Sequence, residues 1–124
     1  MPELPEVETV RQDLRQNIIG KTISRVDVFY DKIIKDIDLE VFKSALRNQT
    51  FVDVKRKGKY LLLLLTDMIL VSHLRMEGKY ILKAEEPPAK HEHIIFHFTD
   101  GSTLRYQDVR KFGTMNLFET RDLE

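Results

Sequence analysis

The chain opens Met1-Pro2-Glu3, and its second residue is the first place where chemistry is available. A small second residue normally lets the initiator methionine be removed, which leaves a proline whose ring nitrogen is a free secondary amine. Such an amine attacks an aldehyde carbon or a sugar C1′ and forms an iminium, the chemistry of a Schiff-base lysine. A terminal amine with a pKa near ~8 is roughly 10% neutral at pH 7, whereas a lysine near ~10.4 is well under ~0.1% neutral. Glu3, beside it, can donate or accept the protons that each step requires. While Met1 stays attached, the Pro2 nitrogen is an amide and this chemistry is closed. Taken alone, the triplet equally describes an ordinary start followed by entry into a helix.

Three further strings carry groups suited to a polyanion. Lys55-Arg56-Lys57-Gly58-Lys59-Tyr60 is the basic centre, and residues 55–79 hold six basic residues against two acidic ones, a local net charge of +4. A patch of that kind attracts phosphates at long range and releases counterions on contact; lysines on a sheet edge also serve simply to prevent aggregation. Val71-Ser72-His73-Leu74-Arg75-Met76-Glu77-Gly78 leaves a strand and enters a turn. His73 there can donate to a phosphate oxygen. Met76, flexible and apolar, fits either the base of a loop or a wedge between bases. Tyr106-Gln107-Asp108-Val109-Arg110-Lys111-Phe112-Gly113 presents cations beside an aromatic ring, a combination that suits phosphates, base edges and stacking. The same loop could instead fold Phe112 back into the core. His91, His93 and His97 share parity, so on a regular strand they would share one face. A three-histidine metal site is then conceivable, but its reach is long and no acidic ligand stands at the far end, so no metal is expected in this chain.

The opening Pro2-Glu3-Leu4-Pro5-Glu6-Val7-Glu8 resembles that of the formamidopyrimidine-DNA glycosylases, bifunctional base-excision enzymes. The related endonuclease VIII opens similarly but usually with Gly where Leu4 stands here. The resemblance continues through residues 56–61, 71–78 and 106–113, in the family's order and over nearly the whole chain. It implies Pro2 as the nucleophile, Glu3 as the proton-handling acid and Lys59 as the active-site lysine that holds a phosphate beside the damaged nucleotide. Glu6 would support the active site. Met76 would be the wedge, Arg110 would pair with the orphaned base, and Phe112 would kink the opposite strand. Lys57, His73, His91 and Lys111 would lie at the DNA, His91 as a DNA-proximal residue rather than a ligand.

The resemblance further implies removal of oxidised purines (8-oxoguanine and formamidopyrimidines) from damaged double-stranded DNA, then strand cleavage by β- and δ-elimination. No small-molecule cofactor takes part, and the full-length enzyme is expected to be a monomer. The family's second domain carries a helix–two-turn–helix and a four-cysteine zinc finger. This chain has no Cys, so the structural zinc would belong to that other domain. The reading is therefore of an N-terminal catalytic domain over residues 1–124, cut from a longer protein and weak or inactive alone. The alternatives are a non-catalytic DNA-binding β domain and an endonuclease VIII-like glycosylase of oxidised pyrimidines.

Something must position these strings. Residues 4–19 read as a helix: Pro5 suits the first turn, Glu6 and Glu8 favour the positive end of the dipole, and Val7, Val10, Leu14 and Ile18 form an apolar stripe closed by Gly20. A second short helix is predicted over residues 39–47 behind Asp38. Strands are predicted over residues 22–30 (with imperfect alternation), 51–56, 59–66, 68–73, 79–83, 94–98, 103–106 and 114–118. Gly58 marks a tight bend or bulge, and Asp100-Gly101 a hairpin. About eight short strands at turn-like spacing point to an α+β, mainly β, class: an antiparallel sandwich or flattened barrel with one amphipathic helix leading in.

The composition fits. At 124 residues, 42% apolar and 32% charged, the chain reads as one globular domain able to bury roughly 65% of its unfolded surface. Without Cys it has no disulfide, no thiolate nucleophile and no Cys-ligated zinc. Lys plus Arg and Asp plus Glu both total 20, which rules out a polycationic tail but not a local basic face. The acidic N-terminus lacks the order of a signal peptide, and the longest apolar run, residues 60–65, falls far short of the ~20 residues of a membrane helix. A cytoplasmic protein is the expectation.

Overall fold

A computed structural model of the chain describes residues 4–123. Helix α1 (Leu4–Ile18) buries Val7, Leu14 and Ile18 with Val10 half-buried beside them, which is the stripe that the spacing predicts. It ends one residue earlier than expected, at Gly20 in the left-handed region (φ 87), where the Gly20 N–H turns away to the Phe51 carbonyl. Helix α2 (Leu39–Leu46) starts at Asp38, whose carboxylate accepts the Glu40 and Val41 amides.

Eight strands make two four-stranded antiparallel sheets. The first has the order β1 (Ile23–Val28), β6 (Glu92–Phe98), β7 (Ser102–Gln107), β5 (Lys79–Ala84). The second has the order β2 (Phe51–Lys57), β3 (Tyr60–Leu65), β4 (Met68–His73), β8 (Thr114–Glu119). The fold is thus the sandwich, with two separate sheets rather than one closed barrel. Ile23, Val26, Phe96 and Leu104 from the first sheet and Leu61, Leu63, Leu70 and Met115 from the second are fully buried in one core cluster. Each helix lies against an edge strand, α1 on β2 and α2 on β1, which covers backbone that would otherwise offer itself to another chain.

Local irregularities depart from simple alternation. The imperfect pattern in β1 is a register shift between Ile23 and Arg25 against β6. The β6–β7 hairpin uses three residues rather than two, with Gly101 at φ 89 and Asp100 accepting the Ser102 amide. Two 3-10 turns, Asp31–Ile33 and Thr120–Leu123, had no signal in the apolar periodicity.

The three histidines do not share a face. His91 precedes β6 at φ 68, and the β6–β7 register shifts between Glu92 and Ile94, so parity is broken between His93 and its neighbours. His93 donates from Nε2 to the Asp108 carbonyl (2.7 Å), whereas His97 sits between the Asp27 and Glu85 carboxylates at 2.8 Å each. Among the described residues no group of three or more His, Cys, Asp or Glu could hold a metal ion.

Candidate nucleic-acid interface

The registers gather the singled-out residues at one end of the sandwich. Lys57 pairs with Tyr60, so Gly58 and Lys59 form the two-residue tip of the β2–β3 hairpin. Gly58 takes φ 59, open to glycine at no cost and strained for other residues. Tyr60 pairs with His73 and His73 with Thr114, so β4 ends and β8 begins beside that tip. In the other sheet Lys79 and Glu92 both pair with Gln107. The loop of residues 74–78, the loop of residues 108–113 and His91 therefore all open at this same end.

Helix α1 is brought to it by a clasp. Arg11 pairs bidentately with Glu8 (2.6 and 2.9 Å) and donates to the Val54 carbonyl; Arg56 pairs with the same Glu8 at 3.0 Å; Arg15 pairs with Asp53 at 3.1 Å. The contacts advance from Asp53 to Arg56 as the helix is followed back from Arg15 to Glu8. The helix thus runs antiparallel to β2, and its N-terminal turn, with exposed Glu6, points toward the Lys57–Lys59 end. The hydrogen bonds from Arg11, Gln12 and Arg56 hold the Glu8 carboxyl well below the usual carboxylate range. Pro2 and Glu3 lie outside the described residues.

Around the hairpin tip the polar groups are set for anions. Lys57 is exposed and Lys59 half-buried. His73 is 6% exposed, packs edge-on to Tyr60 (centroids 4.7 Å apart), and accepts the Arg75 amide on Nδ1 (3.1 Å). That bond leaves the ring proton on Nε2. Burial, then repulsion from Arg75 and Lys59, pushes the imidazole pKa down. His73 is accordingly a neutral donor at pH 7, the form that can hydrogen-bond a phosphate oxygen without needing to be charged.

The two loops hold their large apolar side chains outward. Met76 is 56% exposed and Phe112 59% exposed, and neither folds back into the core. Arg75 and Lys111 adopt positive φ values of 58° and 63°, which turns each loop sharply at its tip. The cations are parked on neighbours. Arg110 pairs with Glu77 of the opposite loop at 3.3 Å, and Lys111 lies 4.8 Å from the Tyr30 ring centre. Both contacts are at the surface and cheap to exchange for a phosphate or a base edge.

Two residues given no role in the sequence reading hold this loop in place. Asp108, 1% exposed, accepts the Lys111 amide on Oδ1 (3.1 Å), and the Gly113 amide and Tyr106 hydroxyl on Oδ2 (2.8 Å each). The only hint in the sequence is an Asp a few residues ahead of a Gly, a common loop-closing arrangement. Behind it, Glu92 anchors the connection over residues 85–91. Burial raises its pKa, but Lys83 (2.7 Å), the Ala89 amide and fully buried Arg105 (2.8 Å) outweigh that and bring it to about 2. Arg105 also donates to the Glu86 and Pro87 carbonyls, which fastens the loop that delivers His91.

Comparison with known proteins shows the family. Residues 1–115 match the family model of the formamidopyrimidine-DNA glycosylase N-terminal domain. The chain is 58% identical over 121 residues to a formamidopyrimidine-DNA glycosylase of Lactobacillus delbrueckii subsp. bulgaricus, covering 97% of this chain and 44% of that protein. It is 56% identical over 120 residues to one from Cytobacillus firmus, covering 95% and 44%. Among solved structures, Lactococcus lactis Fpg in complex with abasic-site DNA superposes with a TM-score of 0.92 at 41% identity, over 98% of this chain and 46% of that one. The same enzyme with FAPY-dG DNA gives 0.91 at 41% identity, with the same coverage. The chain spans about 44% of the length of the curated relatives it matches. It belongs to the formamidopyrimidine-DNA glycosylase family and carries that family's N-terminal domain.

Proposed function

We propose that this chain supplies the nucleophile and the duplex-opening loops of a base-excision DNA glycosylase and abasic-site lyase acting on oxidised purines. One observation carries the reading: the N-terminal turn of α1, the Lys59 hairpin tip, the neutral donor His73 and two loops with outward Met76 and Phe112 all open at one end of the sandwich. The solved relatives hold abasic-site DNA and FAPY-dG DNA, which supports a damaged duplex as the partner.

In the mechanism, the target purine leaves the stack. Met76 and Phe112 fill and brace the gap, and Arg110 leaves Glu77 for the orphaned base. The Pro2 nitrogen attacks C1′, the C1′–N9 bond breaks, and Glu3 supplies the proton that opens the sugar to an iminium. Lys59 and His73 hold flanking phosphates. The iminium acidifies the neighbouring C2′–H, so the 3′ phosphate leaves by β-elimination and the 5′ phosphate by δ-elimination. These steps ask only amine, carboxyl and phosphate-binding groups of this chain. This chain has no Cys, so none of its residues can build the four-cysteine zinc finger that the family resemblance implies.

Borohydride reduces an iminium to a stable amine. Incubating the full-length gene product with an 8-oxoguanine duplex and borohydride should yield a covalent adduct mapping to Pro2, and Pro2→Gly should abolish turnover of the lesion. Binding to the duplex without any adduct would replace this reading with that of a non-catalytic DNA-binding domain.

A further inference from the structure

The two loops that carry Met76 and Phe112 come from different strands, yet one phenol oxygen lies between them. Tyr106, on β7, is fully buried, and its hydroxyl donates to Asp108 Oδ2 at 2.8 Å. A Cβ built on Gly113 would overlap that hydroxyl outright, and one built on Gly78 would come within 2.5 Å of it and 2.6 Å of the Leu74 carbonyl. Gly78 closes the Met76 loop by donating its amide to that same Leu74 carbonyl (2.9 Å), and Gly113 closes the Phe112 loop on Asp108. Both loops are therefore closed at glycines because the tyrosine needs the space that a side chain would take. Neighbouring contacts stiffen the arrangement. Tyr80 lies opposite Tyr106 in register with ring centres 5.3 Å apart, and its hydroxyl reaches Ser72 Oγ (2.6 Å) in the other sheet, next to His73. Asp108 is held from behind as well, its carbonyl by His93 and its amide by the His91 carbonyl.

We propose that Tyr106 and Asp108 are positioning residues that lock the Met76 loop to the Phe112 loop, so that the two enter DNA as one body rather than as independent fingers. The inference rests on the function proposed above. The surface pair between Glu77 and Arg110 joins the same two loops, but it is exposed and lets go when Arg110 finds a base edge. The Tyr106–Asp108 lock is buried and stays closed while the surface pair is exchanged. Its value is entropic: two wedges already fixed relative to each other lose less freedom on insertion than two that must be ordered separately.

Tyr106→Phe tests this with little disturbance, because it removes one hydroxyl and keeps the ring. In the full-length protein, base extrusion is read by the fluorescence of a 2-aminopurine placed beside the lesion. Borohydride trapping on a single-stranded abasic oligonucleotide, which needs no wedge, is measured in parallel. Tyr106→Phe should slow extrusion about tenfold, the effect of losing one hydrogen bond to a charged group, while trapping stays within about twofold. A double-mutant cycle adds an independent readout. In the parent background the effects of Met76→Ala and Phe112→Ala on extrusion should be non-additive by several-fold, and in the Tyr106→Phe background they should become additive. The proposal is overturned if extrusion is unchanged, if the loop effects are additive from the start, or if extrusion and trapping fall together with the melting temperature. Failure of the functional reading looks different: the unaltered protein itself would neither extrude a base nor form an adduct.

Discussion

His73 shows how one imidazole is made useful by being kept uncharged. Its Nδ1 is occupied by a backbone amide, its ring is buried against Tyr60, and Arg75 and Lys59 oppose a positive charge on it. Its folded-state pKa lies below the value of about 6.5 that it has in the unfolded chain, so the unfolded state binds the extra proton first. His73 therefore favours the fold above about pH 6.5 and withdraws that support as the pH falls through the unfolded value. Denaturant titrations at pH 7.5 and 5.5 should show a smaller acid loss of stability for His73→Gln than for the parent. An equal or larger loss in the variant would mean that the ring is not held neutral. Sequence alone offered His73 as a phosphate donor, and the structure adds which nitrogen carries the proton and why the ring stays uncharged.

At the scale of elements, the site depends on connections whose fastening is electrostatic and buried. The Glu92–Arg105–Lys83 cluster pins residues 85–91, and removing Glu92 takes from Lys83 and buried Arg105 the carboxylate they share. Glu92→Gln should cost about 3–5 kcal/mol at pH 7, the usual penalty for breaking a buried pair. Glu92 has its folded pKa lowered to about 2, so its contribution is fully present above its unfolded value of about 4.5 and lost as the pH falls toward 2. Parent and variant should therefore converge in stability only below about pH 2, which thermal melts across the acid range would show. Helix α1 is fastened differently, by a half-buried clasp of Glu8 with Arg11 and Arg56 at the surface. Glu8→Gln should leave the global melt nearly unchanged but speed amide hydrogen exchange in the first turns of α1. No change there would mean that apolar packing of Val7 alone sets the helix.

For the whole molecule, the neutral total charge hides an asymmetric distribution. The basic residues of the stretch 55–79 lie toward the same end as Arg110 and Lys111, while Asp67 turns at the other, so the positive field is local. Cations that hold phosphates and cations that read bases should then separate in solution. Lys57→Ala in the full-length protein should weaken binding to all duplexes alike and reduce the slope of log K against log salt by about one. Arg110→Ala should instead narrow the discrimination among bases opposite the lesion by about 1–3 kcal/mol. A variant pair with identical salt slopes and identical base preferences would refute that division of labour. No described helix is long and apolar enough to cross a membrane.

Much of this molecule was legible in the order of its residues. The apolar stripe of α1, the Asp38 cap and the number of strands follow from local periodicity, capping and turn chemistry, which depend on near neighbours in the chain; the four motif strings were legible through their resemblance to the formamidopyrimidine-DNA glycosylases. The broken parity of the histidines did not, because a register shift in β6 is decided by its partner strand. Nor did the parts played by Glu8, Glu92 and Tyr106. Each acts through a partner or a backbone group that only folding brings near: Arg56 on β2, Arg105 on β7, and Gly78 in a loop of another strand. The types of the groups proposed to react and to face DNA were written locally; the assembly of the described ones at one end of two sheets is a matter of strand register and buried hydrogen bonds between distant segments, and these exist only once the chain has folded.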